Sequence, residues 1–182
     1  METEISDLHE KAFVNNLVSR SMEASSRNMD LFSGWLLVGF AAVVGALLPN
    51  LGEVAKHVSS YALQFLFFAF FVVAILAVFA KILAVFVAGA CAGSAIGRIE
   101  GRSAAENGVP LEFSVVFLEM GRVFPWPSRW FVNRSLEKVR CGEITASTRS
   151  VAKLMQIQAL FTLLQALTAI CVVGVLALGV TF

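Results

Sequence analysis

The chain has 182 residues, 58% hydrophobic and only 15% charged, with a mean hydropathy of +0.78 and a formal net charge of +1. Soluble domains stay near half apolar and a quarter charged, so this composition excludes two soluble domains and describes one membrane unit with short polar parts. Three cysteines without ligand spacing and two distant histidines argue against a disulfide framework or a zinc site, and the cysteines are expected to be buried as small apolar residues.

Glu2, Glu4, Asp7 and Glu10 stand where a signal peptide would have a basic start and an apolar core, so none is expected. Ile5, Leu8, Ala12, Leu17 and Val18 fall near helical spacing and predict an amphipathic cytosolic helix over residues 6–22, with Ser6 or Asp7 as its N-cap. Residues 1–30 carry six acidic against three basic side chains. Helices that lie on membranes usually carry a basic face, so this one is expected to pack against protein. Ser25, Ser26, Arg27, Asn28 and Asp30 predict a polar hinge before the next element.

Residues 31–48 are uncharged and just long enough to cross a hydrocarbon core about 30 Å thick. Trp35 lies near the start of this run, at the depth where indole prefers to sit. Pro49 and Asn50 end it, and a short polar loop up to Ser60 turns the chain back, making a helical hairpin. The second span begins at Tyr61 and meets no Pro, Gly or turn cluster before Gly89, which predicts one helix over residues 61–97. Such a helix is about 55 Å long at 1.5 Å per residue. A bilayer absorbs about twenty residues, so part of it is expected to project into the cytoplasm. Lys81 fits the inner boundary, where its ammonium can reach the interface.

Past Lys81, Gly89, Gly93, Gly97 and Gly101 recur one turn apart, and Ala84, Ala88 and Ala92 form a second small ridge beside them. A glycine inside a helix costs about 1 kcal/mol relative to alanine. The usual compensation is close approach of another helix, and another copy of the chain is the expected partner.

Residues 98–153 form the largest polar segment, with nine Lys/Arg and six Glu. Asn107 and Gly108 signal a turn, and Pro110 opens a helix whose apolar face is Phe113, Val116, Phe117, Met120 and Phe124. Pro125 and Pro127 break it. Trp126 and Trp130 with Arg129 and Arg134 predict an interfacial patch against lipid headgroups. Nine minus six leaves a charge of only +3 and no nucleic-acid-binding motif is present, so nucleic acid is not an expected partner. Residues 154–182 form the third span. Gln158, Thr162 and Gln165 lie on one of its faces. They either hydrogen-bond across helices or line a hydrated path, and the first is favoured.

The expected fold is therefore an all-α integral membrane protein with three transmembrane helices, an amphipathic N-terminal helix and a short helical cytosolic segment. Twelve of the fourteen Lys/Arg fall in residues 1–30 and 98–153, Lys56 alone falls on the other side, and Lys81 lies in a span. This asymmetry places the N-terminus in the cytoplasm and Phe182 on the far side of a plasma or inner membrane. A four-span chain would have to turn near Lys81, where no turn residue stands.

There is no phosphate loop, nucleophile elbow or metalloenzyme motif. No enzyme activity, catalytic residue, cofactor or metal is expected. Two functions compete, and the first is the expected one. One is a homo-oligomeric pore in which Lys81 forms a cationic ring and Gln158, Thr162 and Gln165 supply polar lining, serving as a bacterial effector that depolarises the membrane. The other is a non-conducting scaffold or accessory subunit whose cytosolic segments recruit a partner protein. Membrane lipids are partners in both.

Overall fold

The computed structural model describes residues 2–108 and 146–179, together with residues 115, 119, 129, 133, 134 and 137. The described chain is helical throughout, with no β-strand. Helix α1 is Glu2–Leu47, α2 is Leu51–His57, α3 is Ser60–Glu106 and α4 is Ala146–Leu178. Three of them, α1, α3 and α4, are long and apolar enough to cross a membrane. The expected all-α character and the three apolar helices are present.

The predicted hinge is not. Helix α1 runs through Ser25, Ser26, Arg27, Asn28 and Asp30 without a break. Serine, asparagine and aspartate each cost a helix only several tenths of a kcal/mol. Here that cost is offset by side-chain partners: Ser26 is bonded to Gln158, and Asp30 to Lys81. The local signal was real, and tertiary contacts outweighed it.

The connection after α1 is also more ordered than a polar loop. Pro49 sits in a 3-10 turn over Leu48–Asn50, where its missing N–H costs nothing, and α2 follows directly. Val58 is extended. Ser59 then caps α3: its hydroxyl accepts the Ala62 N–H at 3.2 Å, while its carbonyl accepts the Leu63 N–H. At the other end α3 runs to Glu106, beyond the predicted residue 97, and stops where Gly108 adopts φ 64°. That left-handed conformation suits glycine and closes the helix. Helix α4 begins at Ala146, earlier than the predicted 154.

The chain forms two compact units. One, here the Phe40 unit, comprises Ala24–Phe86 and Met155–Phe182. Its core is Phe40 and Val44 of α1, Leu66, Ala69 and Val73 of α3, and Val172 of α4. Phe40 and Phe70 stack across α1 and α3 with ring centroids 6.3 Å apart, and Phe79 meets Phe161 at 5.7 Å. The inward positions of α3 in this unit are Leu63, Leu66, Phe70, Val73, Ala77, Ala80 and Ala84, alternating three and four residues apart. Those of α4 are Gln158, Thr162, Gln165, Ala169, Val172 and Leu176, on the same rhythm. A strict seven-residue period of this kind is that of left-handed, knobs-into-holes helix packing.

Two registers fix the directions. Ser26 and Ser33 of α1 meet Gln158 and Gln165 of α4, each pair 132 residues apart. A constant offset means that α1 and α4 run parallel. Asp30 meets Lys81 and Phe40 meets Phe70, so α3 runs against α1. The end of α4 closes on the start of α3: the Ser59 N–H donates to the Gly179 carbonyl at 3.0 Å. A Cβ at Gly179 would lie 2.7 Å from Ala62 Cβ, so only glycine permits this approach.

The other unit, the Cys91 unit, comprises Met1–Glu23 and Val87–Leu154. Met22, Val87, Cys91 and Val151 are buried in it. The Cys91 thiol faces the Ser19 carbonyl at 3.6 Å, and the Thr148 hydroxyl donates to Asn15 Oδ1.

Candidate functional site

Two features stand out among the described residues. One is a buried polar seam, and the other is an uncharged, bare stretch of α3.

In the Phe40 unit the seam consists of two identical clasps. The Ser26 hydroxyl donates to Gln158 Oε1 at 2.7 Å, and Gln158 Nε2 donates back to the Ser26 carbonyl at 3.0 Å. One heptad on, Ser33 and Gln165 repeat both bonds at 2.7 and 3.0 Å. Both glutamines are 0% exposed. The Ser carbonyl can only accept, which fixes the orientation of each amide. Thr162 lies between them and donates to the Gln158 carbonyl at 3.0 Å. No buried side-chain polar atom among the described residues lacks a partner. Gln158, Thr162 and Gln165 are thus on one inward face; the two glutamines hydrogen-bond across helices, whereas Thr162 bonds within its own helix.

The sequence identified the glutamines but not their serine partners. The signal was present as matched seven-residue spacing: Ser26, Ser33 and Phe40 on one helix, and Gln158, Gln165 and Val172 on another.

Lys81 Nζ lies 2.6 Å from Asp30 Oδ2, with the two side chains 66% and 20% exposed. Asp30 directly precedes the uncharged residues 31–48, and Lys81 directly follows the uncharged residues 61–80. The pair therefore marks the same edge of the apolar stretch on both helices. The expected ring of cations at Lys81 would carry a carboxylate beside every ammonium, which offsets its charge.

Between Lys81 and Arg98, α3 carries no charge. Gly89, Gly93 and Gly97 are exposed and Gly101 is half-buried. A Cβ built on any of the four meets none of the described residues within 4 Å. The alanine ridge divides: Ala84 is buried, whereas Ala88 and Ala92 are exposed. Ile82, Val85, Ile96 and Ile99 are large apolar side chains left exposed on the same stretch.

The interfacial patch is only partly in view. Arg129 and Arg134 are exposed, while Trp126 and Trp130 lie outside the described residues. The predicted apolar face of Phe113, Val116, Phe117, Met120 and Phe124 also lies outside them. Cys91 is buried as expected, but Cys171 is exposed on α4. A lone thiol on an apolar helix surface is compatible with lipid contact. Among the described residues no three His, Cys, Asp or Glu side chains cluster to hold a metal ion.

Comparison with known protein families, with curated proteins and with solved structures finds no match.

Proposed function

We propose that this chain is a self-associating membrane scaffold: a helical bundle anchored by α1, α3 and α4, whose copies pack through the bare stretch of α3. The N-terminus and residues 98–153 lie on the cytoplasmic side of a plasma or inner membrane, following the placement of cations, and are free to recruit a cytosolic protein. The observation that carries this reading is the open space over Gly89, Gly93 and Gly97. Each glycine weakens α3 by about 1 kcal/mol relative to alanine, and none of the described residues uses the room. Close approach of a second helix does use it.

Conduction is the second reading, favoured by the polar seam. Its groups are turned inward, however, so a path would run within each bundle and not along an axis shared by several copies. An axis lined by α3 would present Val85, Gly89 and Gly93 beside Lys81, whose charge Asp30 already offsets. The scaffold reading has no such difficulty.

Donor- and acceptor-labelled copies mixed in liposomes test the proposal. Energy transfer is expected at high dilution in lipid and is expected to vanish with Gly93→Leu, while the helix content stays unchanged. The same liposomes should hold an ion gradient. Transfer that persists in Gly93→Leu removes the proposed contact, and ion flux that Gln165→Leu abolishes would favour the pore.

A further inference from the structure

Arg27, Asp30 and Lys81 form a charge cluster within the Phe40 unit, and the scaffold reading gives it no task. Lys81 Nζ is held 2.6 Å from Asp30 Oδ2, yet 66% of its side chain stays exposed. An ammonium has three N–H groups, and one carboxylate oxygen takes only one of them. Arg27 stands one turn before Asp30 on the same side of α1. It is exposed, and no described residue bonds to its guanidinium. Two cations and one carboxylate leave one surplus positive charge, carried by Arg27. One turn further out on α1, Arg20 and Glu23 have opposite charges that sum to zero, so they do not cancel it.

The depth of the cluster is that of a lipid headgroup. Residues 31–48 follow Asp30 without a charge, and residues 61–80 precede Lys81 without one. The ion pair therefore stands at the edge of the hydrocarbon layer. Arg27 lies three residues beyond it, about 4.5 Å along the helix, inside a headgroup layer about 5–7 Å thick. Just within the edge, Leu31 comes four residues after Arg27 and Val78 three residues before Lys81, and both are exposed. The cations of α1 and α3 thus stand directly above apolar side chains on the same sides of their helices.

We propose that Arg27 and Lys81 bind the phosphodiester of an anionic phospholipid, whose acyl chains rest on Leu31 and Val78. Asp30 acts as a positioning residue that holds the Lys81 ammonium at this level. The Arg27 guanidinium offers a planar fork of N–H donors that matches two phosphate oxygens. One lipid anion brings the cluster to neutrality. A zwitterionic lipid brings its own cation and leaves the surplus charge uncompensated, so the site selects anionic headgroups. Each copy of the chain holds the whole site, and the inference stands apart from self-association.

Thermal unfolding in detergent, with lipid added, tests this. Phosphatidylglycerol is expected to raise the melting temperature by several degrees. Phosphatidylcholine and inorganic phosphate at the same concentration are expected to leave it unchanged. Arg27→Gln should keep the lipid-free melting temperature, because the side chain bonds nothing, and should lose most of the phosphatidylglycerol shift. Arg27→Lys, which keeps the cation, should retain part of the shift, and Arg20→Gln all of it. Native mass spectrometry should show about tenfold less phosphatidylglycerol retained by Arg27→Gln. No shift with phosphatidylglycerol, an equal shift with phosphatidylcholine or inorganic phosphate, or an undiminished shift in Arg27→Gln overturns the site. An equal loss in Arg20→Gln also overturns it, since general surface charge would then account for the effect.

Discussion

Gln165 is enclosed with Ser33 in the middle of an apolar bundle, where a lost partner cannot be replaced by water. Interhelical hydrogen bonds in membranes contribute about 0.5–2 kcal/mol each, and each clasp holds two. Ser33→Ala removes one bond and strands Gln165 Oε1; Gln165→Leu removes both. We expect each single substitution to cost about 1–3 kcal/mol and the double variant to cost less than their sum. A double-mutant cycle in refolding titrations checks this, and additive costs would mean that the clasp is not a unit. The glycines provide a second contrast. Gly179→Ala should destabilise by about 1–3 kcal/mol, because its Cβ would press on Ala62. Gly93→Ala should leave the single chain equal or more stable, since its Cβ meets none of the described residues. Thermal unfolding of monomer in detergent separates the two. The inward face of Gln158, Thr162 and Gln165 was legible from spacing alone. Ser26 and Ser33 were not, because a serine within a polar run reads locally as a cap or hinge. Only the partner across the bundle shows otherwise.

The elements show why local propensity misplaced some boundaries and not others. The end of α1 at Pro49 and the turn at Asn107 and Gly108 are backbone effects that a sequence carries directly, although α3 continues to that turn instead of ending at the predicted residue 97. The continuity of α1 through residues 25–30 is a tertiary effect, held by Gln158 and Lys81. The heptad rhythm of α3 was also present in the sequence, but almost every residue around it is apolar, so nothing marked the buried stripe. The Asp30 and Lys81 pair ties α1 to α3 at the edge of the apolar stretch. Lys81→Met leaves Asp30, only 20% exposed, without its cation. This should destabilise by about 1–3 kcal/mol, as an unpaired charge at a partly buried site does, and Asp30→Asn added to it should recover most of the loss. If the double variant is no better than Lys81→Met, the ion pair does not fix the α1–α3 register.

For the whole molecule, composition was the most informative signal: long uncharged runs in water have few other solutions than a bilayer, and the three apolar helices follow from them. Function was far less legible. A scaffold and a pore draw on the same apolar helices and the same small residues, and a single chain displays surfaces without their occupants. What the structure adds is a division of labour. The polar side chains are used inside the bundle, at Ser26, Ser33, Gln158 and Gln165, while the bare glycines of α3 face outward. The first group holds one chain together, and we assign the second to holding chains to each other. Native mass spectrometry of the protein in lipid nanodiscs tests that assignment most directly. The account predicts one defined oligomer for the natural sequence and a folded monomer for Gly93→Leu. A natural chain that is monomeric, or a Gly93→Leu variant that keeps the same oligomer, would contradict it.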